Sequence, residues 1–192
     1  LSNIFELAKK RKTVRKFKNK DVNIEDVIYC IETAKEAPSG MNSQPWKFLI
    51  ITKHSEKSAI REICERGEKK FHEKIKDSLR DWLKVKNITW KKEFLDSAPV
   101  LLLIFSHKKS RYFIQSTWLM IGYLLLALEE KGLSTVTYTP PNLDEIRCFL
   151  NVPSEYRLEV ILPIGYSDDD KEKETRKSID EICFIEEWGR KS

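Results

Sequence analysis

Glycine is scarce in this 192-residue chain, and its six copies never cluster. That removes both glycine-rich phosphate cradles: no GxGxxG follows an apolar strand, and no P-loop is present. There is no GxSxG elbow and no HExxH, so the local signatures of a hydrolase serine and a zincin metal are missing too. The four cysteines, Cys30, Cys64, Cys148 and Cys183, form no CxxC pair, and His54, His72 and His107 offer them no zinc-like spacing. No metal site is expected. Cys30 and Cys148 fall in apolar periodic runs, where a buried reduced thiol is the ordinary case. With no visible signal peptide, a cytoplasmic address is the expectation. The longest apolar stretch, Trp118 to Leu128, is too short to span a bilayer and contains Gly122. Any chemistry is therefore expected from a bound cofactor rather than from a protein nucleophile or a metal.

What is present fits a soluble globular chain, with 41% apolar and 34% charged residues. The length fits one domain with a real core. A net charge of +5 is only mildly basic, and acidic residues are interspersed throughout. Such a balance suits small anionic molecules and does not by itself argue for nucleic acid.

Along the chain, Ile4, Phe5, Leu7 and Ala8 put an apolar side on a short helix over 3–10. The basic run Lys9-Lys10-Arg11-Lys12-Thr13-Val14-Arg15-Lys16-Phe17 follows. It reads either as a solvated face or as an anion site, where Arg11 and Arg15 offer planar forks and Thr13 a hydroxyl. If the helix extends here, the two arginines lie four apart on one face. Asn23 caps a helix over 24–36, in which Val27, Ile28, Ile31 and Ala34 recur at helical spacing.

The next stretch is Ala37-Pro38-Ser39-Gly40-Met41-Asn42-Ser43-Gln44-Pro45-Trp46. It is dense in hydroxyl and amide groups and sits between a helix and the strand Trp46 to Thr52. It could grip a flat heteroaromatic ligand, or it could be a turn whose polar groups only cap each other. Residues 55–94 are helical, charged and sparsely apolar, too polar for a central core element. They read as an excursion on the rim, a candidate lid or an ordinary amphipathic hairpin.

Ala98 to Phe105 is apolar without alternation, which marks a central strand buried on both faces. Ser110 to Lys131 is apolar nearly all round and so belongs inside, either in the core of one chain or across a subunit interface, and Gly132 ends it. Leu133 to Thr139 is a short strand stopped by Pro140-Pro141. Asn142 caps a helix over 143–150, and Leu158 to Tyr166 is a further strand. A charged arm over 167–177 and a short element over 178–188 complete the chain. Strands mixed with helices indicate an α+β fold in a single domain, 1–192, with the helical excursion at about 55–95.

Four segments together resemble the FMN-dependent nitroreductase family. Arg11-Lys12-Thr13-Val14-Arg15-Lys16-Phe17 is similar to the family's Arg-Arg-Ser-x-Arg-x-Phe. Ala37 to Trp46 is similar to its Ala-Pro-Ser-x-x-Asn-x-Gln-Pro-Trp. The apolar helix ending Ala127-Leu128-Glu129-Glu130-Lys131-Gly132-Leu133-Ser134-Thr135 resembles its Ala-Ala-x-x-x-Gly-Leu-Gly-Thr. Gly165-Tyr166 followed by Arg176-Lys177-Ser178-Ile179-Asp180-Glu181 resembles its last motif. The departures are Lys12 for an Arg, Ser134 for a Gly, and Ser167 and Ser178 for prolines.

The resemblance implies a three-layer fold, a mainly antiparallel central sheet flanked by helices, in an intertwined homodimer with FMN between the subunits. Arg11, Lys12, Thr13 and Arg15 would surround the FMN phosphate, joined by Arg176 or Lys177. Pro38, Ser39, Gly40, Asn42 and Gln44 would line the flavin, with Asn42 at its polar edge. Tyr138 and Thr139 would back the ring, and Thr139 would offer a backbone N–H near N5. Phe71, Trp82 and Trp90 of the excursion are candidate walls for a substrate, or packing residues.

The activity implied is NAD(P)H-driven reduction of nitroaromatics, quinones or flavins. Within the same superfamily the alternatives are reductive dehalogenation and oxygen-dependent flavin fragmentation. A basic nucleic-acid-binding module is the reading from a different class.

Overall fold

A computed structural model describes residues 3–189, so the outermost positions of the expected 1–192 domain lie outside it. In chain order it contains α1 (Ile4–Lys10), α2 (Ile24–Lys35), β1 (Trp46–Ile51), α3 (His54–Lys74), α4 (Asp77–Val85) and α5 (Phe94–Ser97). There follow β2 (Val100–His107), α6 (Phe113–Glu130), β3 (Ser134–Thr135), α7 (Leu143–Phe149), β4 (Tyr156–Gly165) and α8 (Ile179–Ile182). The strands form one sheet in the order β1-β2-β4-β3, with every pair antiparallel.

The unbroken apolar run of β2 has the effect expected of it. Val100, Leu102 and Ile104 face one core with residues of α2 and α6, while Leu101, Leu103 and Phe105 face a second core with residues of α3, α5 and α7. Successive side chains of a strand point to opposite faces, so a strand covered by helices on both sides must be apolar at every position. The result is the three-layer α+β arrangement, helices on both faces of an antiparallel sheet.

Three expectations shift. The segment read as a polar rim excursion from residue 55 begins with a genuine layer of the fold: α3 buries Ile60, Ile63 and Cys64 in the second core. Its buried positions form one narrow stripe, so a low average hydropathy coexists with a buried face. Of the two places read for α6, the core of one chain does not hold all of it, since Trp118, Leu119 and Tyr123 remain 38%, 47% and 41% exposed. Cys148 is exposed, whereas Cys30 and Cys64 are buried. Burial pushes both buried thiols up to about 12.

Strand β3 is shorter than the run 133–139. Tyr138 bridges Ile161 in the same register that pairs Thr135 with Ile164, so Val136 falls opposite Pro163. Ile161 directs its backbone groups toward Tyr138, and Pro163, two residues on, directs its own to the same side but has no N–H. The ladder is interrupted there and resumes at Tyr138.

Asn3 and Asn23 cap α1 and α2 by accepting from the N–H groups of Phe5 and Glu25. Gly132, at φ +69°, closes α6: its N–H donates to Glu129 and that of Leu133 to Leu128, satisfying carbonyls that the helix leaves free. Gly165 on β4 has no room for a side chain, because a Cβ there would meet Phe17 Cδ1 and Pro99 Cδ at 2.9 Å each. Gly165→Ala should therefore cost about 2 kcal/mol by overpacking. The check is a lower denaturant midpoint at unchanged slope.

Candidate functional site

The basic segment does not continue α1. The helix stops at Lys10 and Arg11 adopts extended geometry, so Arg11 and Arg15 do not share a helix face. The chain instead runs along the sheet edge: Thr13 bridges Thr135, the Val14 N–H donates to the Thr135 carbonyl at 3.0 Å, and Phe17 bridges Ser167. Alternate residues of an extended chain share a side, so burying Val14 turns Thr13 and Arg15 outward.

The arm after β4 is pinned over this segment by two lysines. Lys12 Nζ donates to the carbonyls of Asp169 and Lys171, both at 2.6 Å, and Lys173 Nζ donates to those of Ala8 and Lys9 at 2.6 and 2.9 Å. The Lys12 ammonium thus serves as a brace. The arm carries Arg176 up to Arg11. Partial burial and then the Arg176 charge hold the Arg11 guanidinium below its ordinary value, against Glu129. Lys173 is lowered by desolvation and then by Arg176 and Arg11. Cations that repel one another in this way form a ready site for a dianion. Partial burial also lowers Arg15, which is offset by Asp169 and Glu174. Arg176 Nη1 donates to the Glu174 carbonyl at 2.8 Å, while Lys177 is exposed on the arm.

The polar loop 37–46 is strained. Met41, Asn42 and Gln44 all have positive φ, at 56°, 51° and 41°. Left-handed backbone at three non-glycine residues so close together is costly and concentrates at functional sites. Ser39 Oγ accepts from the Gln44 N–H at 3.0 Å, and Gln44 Nε2 donates to Asn42 Oδ1 at 3.1 Å. The Gly40 N–H donates to Ser116 Oγ on α6 at 3.1 Å. Pro38, Ser39 and Gly40 line one side of a cleft of about 320 Å³ whose other side includes Tyr112, Ser116 and Leu119. Gly40 is required by close approach, since a Cβ there would stand 2.7 Å from Tyr112 Cδ2. Tyr112 was not singled out in the sequence, where it falls inside the run read as the helix 110–131; the helix starts only at Phe113, with Tyr112 as its N-cap.

Tyr138 exchanges both backbone hydrogen bonds with Ile161 at 3.1 and 2.8 Å, and its ring packs edge-on against Phe94 with centroids 5.4 Å apart. Thr139 is exposed, its hydroxyl 3.5 Å from the Glu159 carbonyl. The excursion aromatics do not join the cleft beside Gly40. Phe71 packs on His72, Trp82 is exposed on α4, and Trp90 lies under the Lys69 ammonium.

One cluster escaped the sequence reading. Glu68 on α3 and Lys92 before α5 are 7% and 4% exposed and form an ion pair at 3.0 Å, with His72 Nε2 3.5 Å from the same carboxylate oxygen. The other oxygen accepts from the Tyr138 phenol at 2.9 Å. Burial, then Cys64 and Glu68, raise the phenol far above its ordinary value, so it stays a donor. Neither residue could be picked from a charged segment, because nothing local marks a pair made across a fold.

Among the described residues no group of His, Cys, Asp and Glu could hold a metal ion. Nor is any described helix long and apolar enough to cross a membrane.

Residues 8–166 match the Nitroreductase family. Iodotyrosine deiodinase of Thermotoga neapolitana is 54% identical over 176 residues, covering 92% of this chain and 95% of that protein. Iodotyrosine deiodinase 1 of Mus musculus is 37% identical, over 93% of this chain and 67% of that protein. A crystal structure of oxidized iodotyrosine deiodinase bound to FMN and 3-iodo-L-tyrosine matches with a TM-score of 0.90 at 55% identity, covering 92% of this chain and 96% of that one. A BluB-like flavoprotein from Clostridium difficile 630 matches with a TM-score of 0.81 at 26% identity, covering 96% and 99% of the two chains. This chain belongs to the Nitroreductase family.

Proposed function

We propose that this protein is an FMN-dependent reductive dehalogenase acting on a halogenated tyrosine. The observation that carries the reading is the buried Glu68–Lys92 pair in a chain 54% identical to an iodotyrosine deiodinase. A carboxylate beside an ammonium is the complement of the ammonium and carboxylate of an amino-acid zwitterion. Water is excluded there, so each charge is costly unless matched.

The residues present fit FMN. Arg11, Arg15 and Arg176 supply cations for its phosphate, with Lys12 and Lys173 bracing the segments that carry them. Pro38, Ser39 and Gly40 line one side of the cleft, and Asn42 and Gln44, whose amides bond each other, follow in the same loop and would meet the flavin's polar edge. When bound, FMN supplies the two electrons that, with a proton, convert an aryl carbon–iodine bond to carbon–hydrogen and iodide. Glu68 would take the substrate's ammonium, and Lys92 its carboxylate. Thr139, next to Tyr138, would face N5, and the segment around α4 would cover the site.

We read the protein as a homodimer with each site completed by both copies. Trp118, Leu119 and Tyr123 of α6 and Tyr29 of α2 leave an apolar surface suited to a second copy. NAD(P)H-driven reduction of nitroaromatics or quinones is the second reading, favoured by the family as a whole. Oxygen-dependent flavin fragmentation, the other alternative that the superfamily resemblance implies, is an outcome of the same test.

The test is to reduce the FMN-loaded protein anaerobically with dithionite and add 3-iodo-L-tyrosine. Equimolar tyrosine and iodide, with oxidised flavin, are expected. No iodide but rapid reoxidation by a nitroaromatic would overturn the reading in favour of the second, and destruction of reduced FMN in air would point to fragmentation.

A further inference from the structure

We infer that Tyr138 is a positioning residue that holds Glu68 for the ammonium group of the substrate, so that its hydroxyl sets the preference for halotyrosines over simple halophenols. This rests on the dehalogenase reading and adds to it a determinant of specificity.

Among the described residues, three groups touch the Glu68 carboxylate. Lys92 Nζ and His72 Nε2 share one oxygen, and the Tyr138 hydroxyl donates to the other. The three are not equivalent. His72 lies on the same helix as Glu68, one turn further on, so it cannot fix that helix to anything else. Lys92 has a second acceptor in the Thr89 carbonyl at 2.5 Å, so its ammonium stays partnered when it leaves Glu68. Tyr138 alone of the three belongs to the sheet. Its N–H and C=O are both bonded to Ile161, a fully buried residue of β4.

The consequence appears when a zwitterion enters. The Glu68–Lys92 pair must part, Lys92 toward the substrate carboxylate and Glu68 toward its ammonium. A carboxylate abandoned beside Phe94 and Cys64 would swing or relax unless something holds it. The phenol does so as a permanent donor, and the edge-on packing against Phe94 fixes the ring. Tyr138 also immediately precedes Thr139. The same short piece of backbone therefore sets where the ammonium-binding carboxylate lies and where the residue assigned to N5 lies. That makes it a ruler for the separation between the halogen-bearing ring and the zwitterion.

Tyr138→Phe removes only the oxygen and keeps the ring on Phe94. Binding of 3-iodo-L-tyrosine to the oxidised, FMN-loaded protein is read from the flavin absorbance, and turnover is read with dithionite as reductant. 2-Iodophenol, which lacks the zwitterion, serves as the paired substrate. The variant should keep its FMN, bind iodotyrosine about tenfold more weakly, and show this in KM rather than kcat. Its kcat/KM for 2-iodophenol should stay within about twofold of wild type. Equal losses on both substrates, or unchanged iodotyrosine binding, would overturn the inference while leaving the dehalogenase reading in place. A wild-type protein that ignores iodotyrosine would overturn both.

Discussion

On the proposed reading, Arg15→Ala is expected to weaken FMN binding by about a hundredfold, the scale of losing the charge-assisted hydrogen bonds that a guanidinium would make to the phosphate. The fold should survive. Residues 13–17 are held by the burial of Val14, its bond to Thr135, and the bridge from Phe17 to Ser167, none of which uses the Arg15 side chain. Asp169 and Glu174, the carboxylates that offset Arg15, lie on the arm and would be left with fewer cations. The weakening should therefore exceed that of a neutral truncation at a surface arginine. Titration of FMN fluorescence against the apoprotein gives the affinity, and the salt dependence gives a second reading, because removing a phosphate contact flattens it. Arg15→Lys keeps the charge without the fork and should fall between the two. An unchanged FMN affinity would move the phosphate site away from the 11–17 segment.

How far the sequence carried can be judged residue by residue. The central strand was legible because an unbroken apolar run allows few environments, and β2 occupies the doubly covered one. The helix caps at Asn23 and Gly132 were legible because their chemistry is local. Burial along α3 was obscured by charge: a helix needs only one stripe inside, and averaging over its polar faces hides Ile60, Ile63 and Cys64. The end of α1 at Lys10 was legible, but whether the basic run beyond it prolonged the helix was not, because basic residues are as compatible with an extended edge as with a helix. The break in β3 depends on Pro163, which lies on a different strand and lacks the donor needed opposite Val136. Glu68 and Lys92 meet only because α3 and the segment before α5 lie against each other and against Tyr138, and no local pattern encodes that. Arg11, Arg15, Pro38, Ser39 and Gly40 were singled out by their likeness to a family motif, and the fold sets the first two beside the arm and the last three along a cleft. What the family motif did not show is that Lys12 is committed to the carbonyls of Asp169 and Lys171.

Lys92→Met should lower stability by about 3 kcal/mol, the usual cost of leaving a buried charge without its partner. Glu68 would retain the Tyr138 hydroxyl and His72 at 3.5 Å but lose its contact at 3.0 Å. Adding Glu68→Gln to that variant removes the stranded charge and keeps an oxygen to accept from Tyr138. The double variant should recover most of the stability, measured as denaturant midpoint with FMN bound. It should not recover halotyrosine binding, because neither end of the zwitterion would find its opposite charge. The separation of the two readouts decides what the pair is for. A pair kept for stability would leave substrate binding in the double variant near wild type, or leave stability unrecovered. A pair kept for recognition gives a stable, FMN-loaded protein that still reduces 2-iodophenol and no longer distinguishes iodotyrosine from it. Buried ion pairs stabilise poorly compared with apolar packing of similar volume, so stability alone does not account for this one. On the proposed reading the substrate does, because its zwitterion would exchange into the pair.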